Sequence, residues 1–304
     1  MTITGCASKP AVVAPTPVAA APKTVIAIDK TLRGVQIPLP NTVLLQFGKA
    51  DLNMAAAEPY LDKIALLLKT KSSKPDLIVG ASAGSVIGVF YAAGYTGLQM
   101  EDVAMKVRDA DVIDTVANTK RGLVGGDALQ KLINNFVKDK SIEALKTPFI
   151  ATATNLRTGD LVQLKAGDAG QAVRASSSMP GVFLPTMVNG VEMVDGAISS
   201  PLPVSVARQM GAETVIAVDV GAAPQNAHAT GIYEIVMQSF EIMGLSIAKL
   251  EGQKADVLIR PAVGQFSSSD FSNRAQLIAA GYSAGQRAIE QIRLAQNSNY
   301  KKRK

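Results

Sequence analysis

The apolar positions cluster first at Leu77-Ile78-Val79, a short run bounded by Asp76 and Gly80. An apolar, small-residue segment follows from Ser85 to Ala93. The first run has the length of a buried strand and the second that of a helix, which leaves Gly80-Ala81-Ser82-Ala83-Gly84 as the turn between them. That turn has the spacing G-x-S-x-G. Between a strand and a helix, this spacing puts the serine on a strained backbone with its hydroxyl clear of the sheet. Glycines two residues to either side give strand and helix room to approach, and the helix N-terminus favours an oxygen anion. The plain alternative is a Gly/Ser-rich turn with no chemistry.

The same reading extends along the chain. Thr42 to Phe47 reads as a strand and Gly48 to Asn53 as a loop. Met54 to Lys69 reads as a helix with Leu61, Ile64, Ala65 and Leu68 at helical spacing. A helix is expected to start near Asp168 and to end in Arg174-Ala175-Ser176-Ser177-Ser178-Met179-Pro180-Gly181. Val191 to Val194 reads as a strand that presents Asp195 at its end, with Gly196 allowing a sharp turn. Thr214 to Val220 and Val257 to Ile259 are near-continuous apolar, the pattern of strands covered on both faces. Helices are expected at Tyr233 to Lys249 and Ser272 to Ala295. The expected fold is α/β: three layers, helix–sheet–helix, around a mostly parallel central sheet. It is expected to form one domain from about 40 to 296, in which 40–74 is an atypical first strand, loop and helix. Residues 1–39 read as a tether and 297–304 as a basic tail.

Composition narrows the classes. At 304 residues and 47% apolar, the chain can bury a large core. No run of about eighteen apolar residues is present to span a membrane. The net charge of +6 is modest, and part of it is Lys301-Lys302-Arg303-Lys304, which reads as a solvated tail. Six Tyr, eight Phe and no Trp argue against a stacking surface for single-stranded nucleic acid. One cysteine excludes an internal disulfide framework, and one histidine speaks against a zinc hydrolase. No cofactor and no metal are expected.

Near the start, Ile3-Thr4-Gly5-Cys6 resembles the lipobox of bacterial lipoproteins, with Cys6 the residue to be acylated. The Pro/Ala-rich stretch from Ala7 to Pro22 is similar to the tether of such proteins. The resemblance implies a membrane surface reached through a lipid anchor. It also implies the bacterial envelope, at the outer membrane or its periplasmic face. The segment LLQFGKADLNMAAAEPYLDKIALLLK resembles the opening of OmpA-like peptidoglycan-associated lipoproteins, over roughly residues 1–74. The motifs by which that family grips peptidoglycan, G-H-T-D and N-x-x-L-S-x-x-R-A, do not follow here.

From Pro75 on, the chain resembles another family. KPDLIVGASAGSVIGVFYAAGY, RGLVGGDALQKLI, TPFIATATNLRTGDLVQLKAGDAGQAVRASSSMPGVFLP and Val194-Asp195-Gly196-Ala197 resemble, in order, the motifs of bacterial patatin-like phospholipases. SSPLPVSVARQMGAETVIAVDVG continues the likeness to Gly221. The resemblance implies a fold related to α/β hydrolases and a serine–aspartate dyad, with Ser82 as nucleophile and Asp195 as proton acceptor. Such a base needs close approach and a partly desolvated carboxylate with a raised pKa. The alternative for Asp195 is an ordinary turn aspartate before glycine. His228 falls after Ser82 and Asp195 in triad order but in a polar loop outside every motif, and is not expected to be the base.

What the resemblance implies about substrate is a lipid acyl ester, a phospholipid or lysophospholipid. Met179, Val182, Phe183 and Leu184 would then line an acyl chain, although core packing explains them equally well. The family also carries a glycine-rich oxyanion loop after its first strand, and at that place stands Phe47-Gly48-Lys49-Ala50-Asp51-Leu52-Asn53. Only Gly48 remains of the glycine run, so Gly48 and Ala83 are the candidate oxyanion donors. Losing one such donor typically costs on the order of 10² to 10³ in rate. An acyl hydrolase weakened by this loop is therefore weighed against a catalytically impaired lipid-binding or scaffolding lipoprotein. An envelope-binding protein of the OmpA-like kind ranks behind both.

Overall fold

β4, Phe149–Asn155, carries the sheet. It reads FIATATN and is buried along nearly its whole length. The computed structural model describes residues 29–31, 34–36, 74–117, 119–221, 230–264 and 273–302. β3, Ile78–Ala81, lies parallel to β4 with Ala81 opposite Thr152. β5, Leu161–Leu164, runs antiparallel to β4 over residues 151–154. β7, Val191–Asp195, is antiparallel too, with Asp195 opposite Ala153, and β6, Thr186–Val188, pairs with β7.

These registers fix where the strand ends meet. Residues 151 and 152 pair with both β3 and β5, and residues 153 and 154 with both β5 and β7. A strand has two edges, so β3 and β7 share the edge that β5 does not occupy. They approach from opposite ends and stop at neighbouring positions, Thr152 and Ala153. The residue after β3 is Ser82, and the last residue of β7 is Asp195.

Helices α1, Ala83–Ala93, α3, Asp127–Val137, and α4, Ala169–Ser176, cover one face of this sheet. Phe149, Ala151 and Ala153 join Val89, Leu129, Ile133, Ala172 and Val173 in one buried cluster, as the two-residue period of a strand requires. Gly88 of α1 sits tight on the sheet: a Cβ there would stand 3.0 Å from Ile78 and from Phe149. Between α1 and α3 lies α2, Gly97–Lys106, started by a capping box in which Thr96 and Gln99 satisfy each other's N–H groups. α5, Val204–Gln209, follows the site and also contacts β3.

The α/β class holds, in keeping with an α/β/α arrangement. The sheet, expected to be mostly parallel, is mixed instead. The cause is connection length: β4 to β5 and β6 to β7 turn back through short loops, which only antiparallel pairs permit. β8, Ile216–Val218, and β9, Val257–Ile259, form a separate parallel pair among the described residues. In β8, Ala217 is buried while Ile216 and Val218 are exposed, so the expected cover on both faces is not seen there. α6, Ile232–Gly252, lies between β8 and β9 in the chain, and the closing helix α7 runs from Arg274 to Lys302, beyond the expected end at Ala295.

The chain divides into two compact units, Met1–Ser72 and Ser73–Lys304. In the first, β1, Asp29–Thr31, pairs antiparallel with β2, Gly34–Gln36, inside the stretch read as tether. Cys6, the 42–69 strand, loop and helix with Gly48, and His228 lie outside the described residues. No described helix is long and apolar enough to cross a membrane.

Candidate active site

Ser82 occupies the turn from β3 into α1 with φ 50° and ψ −126°. Positive φ is strained for any residue with a Cβ, and such strain persists only where the surroundings enforce it. Here the turn is enforced from both sides. The Ser82 carbonyl accepts the Ser85 hydroxyl at 2.7 Å and the Ser85 N–H at 2.8 Å. Its N–H donates to Ser176 Oγ at 3.0 Å. Of the two turn glycines, Gly80 is needed: a Cβ there would stand 2.6 Å from the Ser85 nitrogen. Gly84 faces open space, so the expected need for glycine on both sides holds at Gly80 alone.

Ser82 Oγ donates to Asp195 Oδ2 at 2.7 Å across 113 residues of sequence. Asp195 is fully buried. Its Oδ1 accepts the Ala197 N–H at 2.8 Å, its own N–H donates to the Ser178 carbonyl at 2.9 Å, and its carbonyl accepts Thr154 Oγ1 at 2.8 Å. Burial raises the Asp195 pKa from 3.8 to about 6, against the lowering pull of the Ala197 and Ser82 hydrogen bonds. A buried carboxylate in contact with a half-exposed hydroxyl is thus poised to take up a proton near neutral pH.

Ala83 is the first residue of α1, so its N–H has no carbonyl one turn back within the helix. It is exposed beside Ser82, as an oxyanion donor has to be. Gly196 is required by a close approach. A Cβ there would collide with the Thr152 carbonyl oxygen and stand 2.7 Å from the carbonyl carbon. Gly196→Ala is therefore expected to destabilise by about 3 kcal/mol, a fall of roughly 6–12 °C in Tm. Gly84→Ala, with room and a helical backbone, is expected to hold or raise Tm instead. Equal melting temperatures for the two variants would contradict this reading.

The other motifs brace the site. Val124 N–H donates to the Val182 carbonyl at 2.9 Å, and Leu184 N–H to the Val124 carbonyl at 2.8 Å. Arg174 of α4 reaches back to Asp127 and to the Gly125 carbonyl. Met179, Val182, Phe183 and Leu184 are half-buried. A cavity of about 260 Å³ lined by Asp127, Gln130, Lys131, Asn134, Asn135 and Asp139 shares no residue with the site. Among the described residues, no three His, Cys, Asp or Glu are grouped to hold a metal ion.

Comparison with known proteins points to one family. A family model described as "Patatin-like phospholipase" matches residues 60–208. This chain carries a patatin-like phospholipase domain. It is 32% identical over 154 residues to human patatin-like phospholipase domain-containing protein 6, covering 48% of this chain and 11% of that protein. It is 29% identical over 150 residues to an uncharacterised NTE family protein of Mycobacterium tuberculosis, covering 47% of this chain and 40% of the relative. The chain thus spans well under half the length of these relatives. The patatin-like match starts at residue 60, within the stretch read as OmpA-like, and the OmpA-like reading has no support from the comparisons.

Reading the sequence alone gave no hydrogen-bonding role at the candidate site to Ser176, Thr154 or the Ala197 N–H. The only signal for Ala197 was its place in the turn after Asp195-Gly196. Nothing local marks Thr154, whose role comes from its position opposite Val194 in the sheet.

Proposed function

We propose that this chain is a serine acyl hydrolase that cleaves lipid acyl esters, of the phospholipid or lysophospholipid class, through Ser82 and Asp195. The observation that carries the proposal is the 2.7 Å hydrogen bond from Ser82 Oγ to Asp195 Oδ2, made from a backbone held at φ 50°. Ser82 Oγ attacks the ester carbonyl carbon as its proton passes to Asp195 Oδ2. The carbonyl oxygen becomes an oxyanion beside the Ala83 N–H and the N-terminus of α1. Collapse expels the alcohol, which takes the proton back from Asp195, and the acyl group stays on Ser82. Water then attacks the acyl-enzyme with Asp195 again accepting the proton, which releases the fatty acid and restores Ser82.

The lipid side of the proposal draws on the family and on the printed names of the relatives. A membrane-facing location at the bacterial envelope, through acylation of Cys6, belongs to the same proposal. The test uses the full chain with p-nitrophenyl butyrate and a fluorophosphonate probe. Ester turnover above the buffer blank, with the probe's mass added to the peptide that holds Ser82, is the expected result. No turnover and no adduct would overturn the proposal.

A further inference from the structure

Three serines in a row close the turn after α4, and the structure gives each a different environment. Ser176 is fully buried, and its Oγ accepts the Ser82 N–H at 3.0 Å. Ser177 Oγ is buried without a hydrogen-bond partner. Ser178 Oγ donates to the Arg174 carbonyl at 2.8 Å and lies 2.9 Å from Thr186 Oγ1, while the Ser178 carbonyl accepts the Asp195 N–H at 2.9 Å. One short segment therefore grips the backbone of both Ser82 and Asp195.

We infer that Ser176 and Ser178 form a clamp that sets the separation of the two proposed catalytic groups, with Ser176 as a positioning residue. The inference rests on the hydrolase reading above. The Ser82 carbonyl has several donors, all from the first turn of α1. Its N–H instead reaches 94 residues along the chain to Ser176. That bond ties the strained turn to α4, whose end also delivers Ser178 to Asp195. Without the Ser176 hydroxyl, the Ser82 N–H is left unpaired against a buried residue, and the turn can relax towards an unstrained φ. Such a shift moves Ser82 Oγ relative to Asp195 Oδ2, and displacements of about 1 Å at a reacting group cost on the order of 10² in rate.

Ser177 supplies the internal control. Its hydroxyl is buried and unpaired, so its removal costs no hydrogen bond.

The experiment compares Ser176→Ala, Ser176→Cys and Ser177→Ala with the parent chain. Both p-nitrophenyl butyrate turnover and the rate of fluorophosphonate labelling at Ser82 are measured. Ser176→Ala is expected to lower kcat and the labelling rate by about 10- to 100-fold, with KM within about threefold. Ser176→Cys, which fills the same space with a weak acceptor, is expected to show the same fall. Ser177→Ala is expected to match the parent. A parent that labels, with Ser176→Ala and Ser176→Cys labelling as fast as the parent, overturns the clamp and leaves the hydrolase reading standing. A general loss in all three variants, Ser177→Ala included, also overturns it, because the effect is then one of packing. A parent that neither turns over ester nor labels overturns both.

Discussion

Ser82→Ala is expected to lower p-nitrophenyl ester turnover by at least about 10³-fold, roughly 4 kcal/mol of transition-state stabilisation. The effect is large because the substitution removes the attacking atom itself. What remains, the helix N-terminus and the bound substrate, can only assist attack by water. The fold has little reason to suffer. The Ser82 N–H and carbonyl, which hold the turn, belong to the backbone and are kept. Asp195 loses one of the two hydrogen bonds that hold its pKa down, so the buried carboxyl is expected to move further upward. Circular dichroism and melting should therefore be close to those of the parent while turnover falls. Residual turnover above one-tenth of the parent's would remove Ser82 from the chemistry.

Much of this site could be read from the residues alone, because its local parts announce themselves. The strand and helix around Ser82 follow from Ile78–Val79 and from the apolar run after Gly84, and both stand where expected within about two residues. Asp195 at the end of β7 follows from an apolar strand stopped by Asp-Gly. The partnership itself is a different matter. It arises because β3 and β7 stop at neighbouring residues on one edge of β4, a property of pairing register that no local pattern encodes.

The same limit explains what was missed. Ser176 sits at the last turn of a helix, where a serine ordinarily looks like a local capping or turn residue. Its actual partner is Ser82, far away in sequence. The near-continuous apolar run at Thr214–Val220 reports hydrophobicity, and in β8 only every second residue is covered among the described residues. The mixed sheet was missed for a similar reason. Asn189-Gly190 is an antiparallel turn signal, with both residues at positive φ, and the apolar strands around it overshadowed it. α7 also outran its expected end, since Asn297 and Ser298 are only weakly unfavourable in a helix.

Asp195→Asn is expected to abolish turnover and, at the same time, to stabilise the fold at neutral pH. The two effects have one origin. In the folded chain burial raises the Asp195 pKa to about 6, against 3.8 for a free aspartate. Below pH 3.8 the group is protonated in both states and costs nothing. As pH rises from there towards 6, the unfolded chain gives up its proton while the folded chain keeps it, so the unfolded state gains. Above pH 6 both are ionised, and the fold carries the full penalty of about 3 kcal/mol. Asparagine never ionises: its carbonyl can still accept the Ala197 N–H, and its amide can donate to Ser82 Oγ. The variant is thus expected to melt higher than the parent at pH 8, with the gap closing towards pH 4. The parent's kcat/KM should rise through about pH 6 as the base ionises, whereas the variant has no such limb because an amide takes up no proton. Melting curves at pH 4, 6 and 8 test the first half, and a pH–rate profile tests the second. A stability gap that is the same at pH 4 and pH 8 would show that Asp195 is not a carboxyl whose burial costs the fold, and activity flat from pH 4.5 to 8 would show that it is not the base.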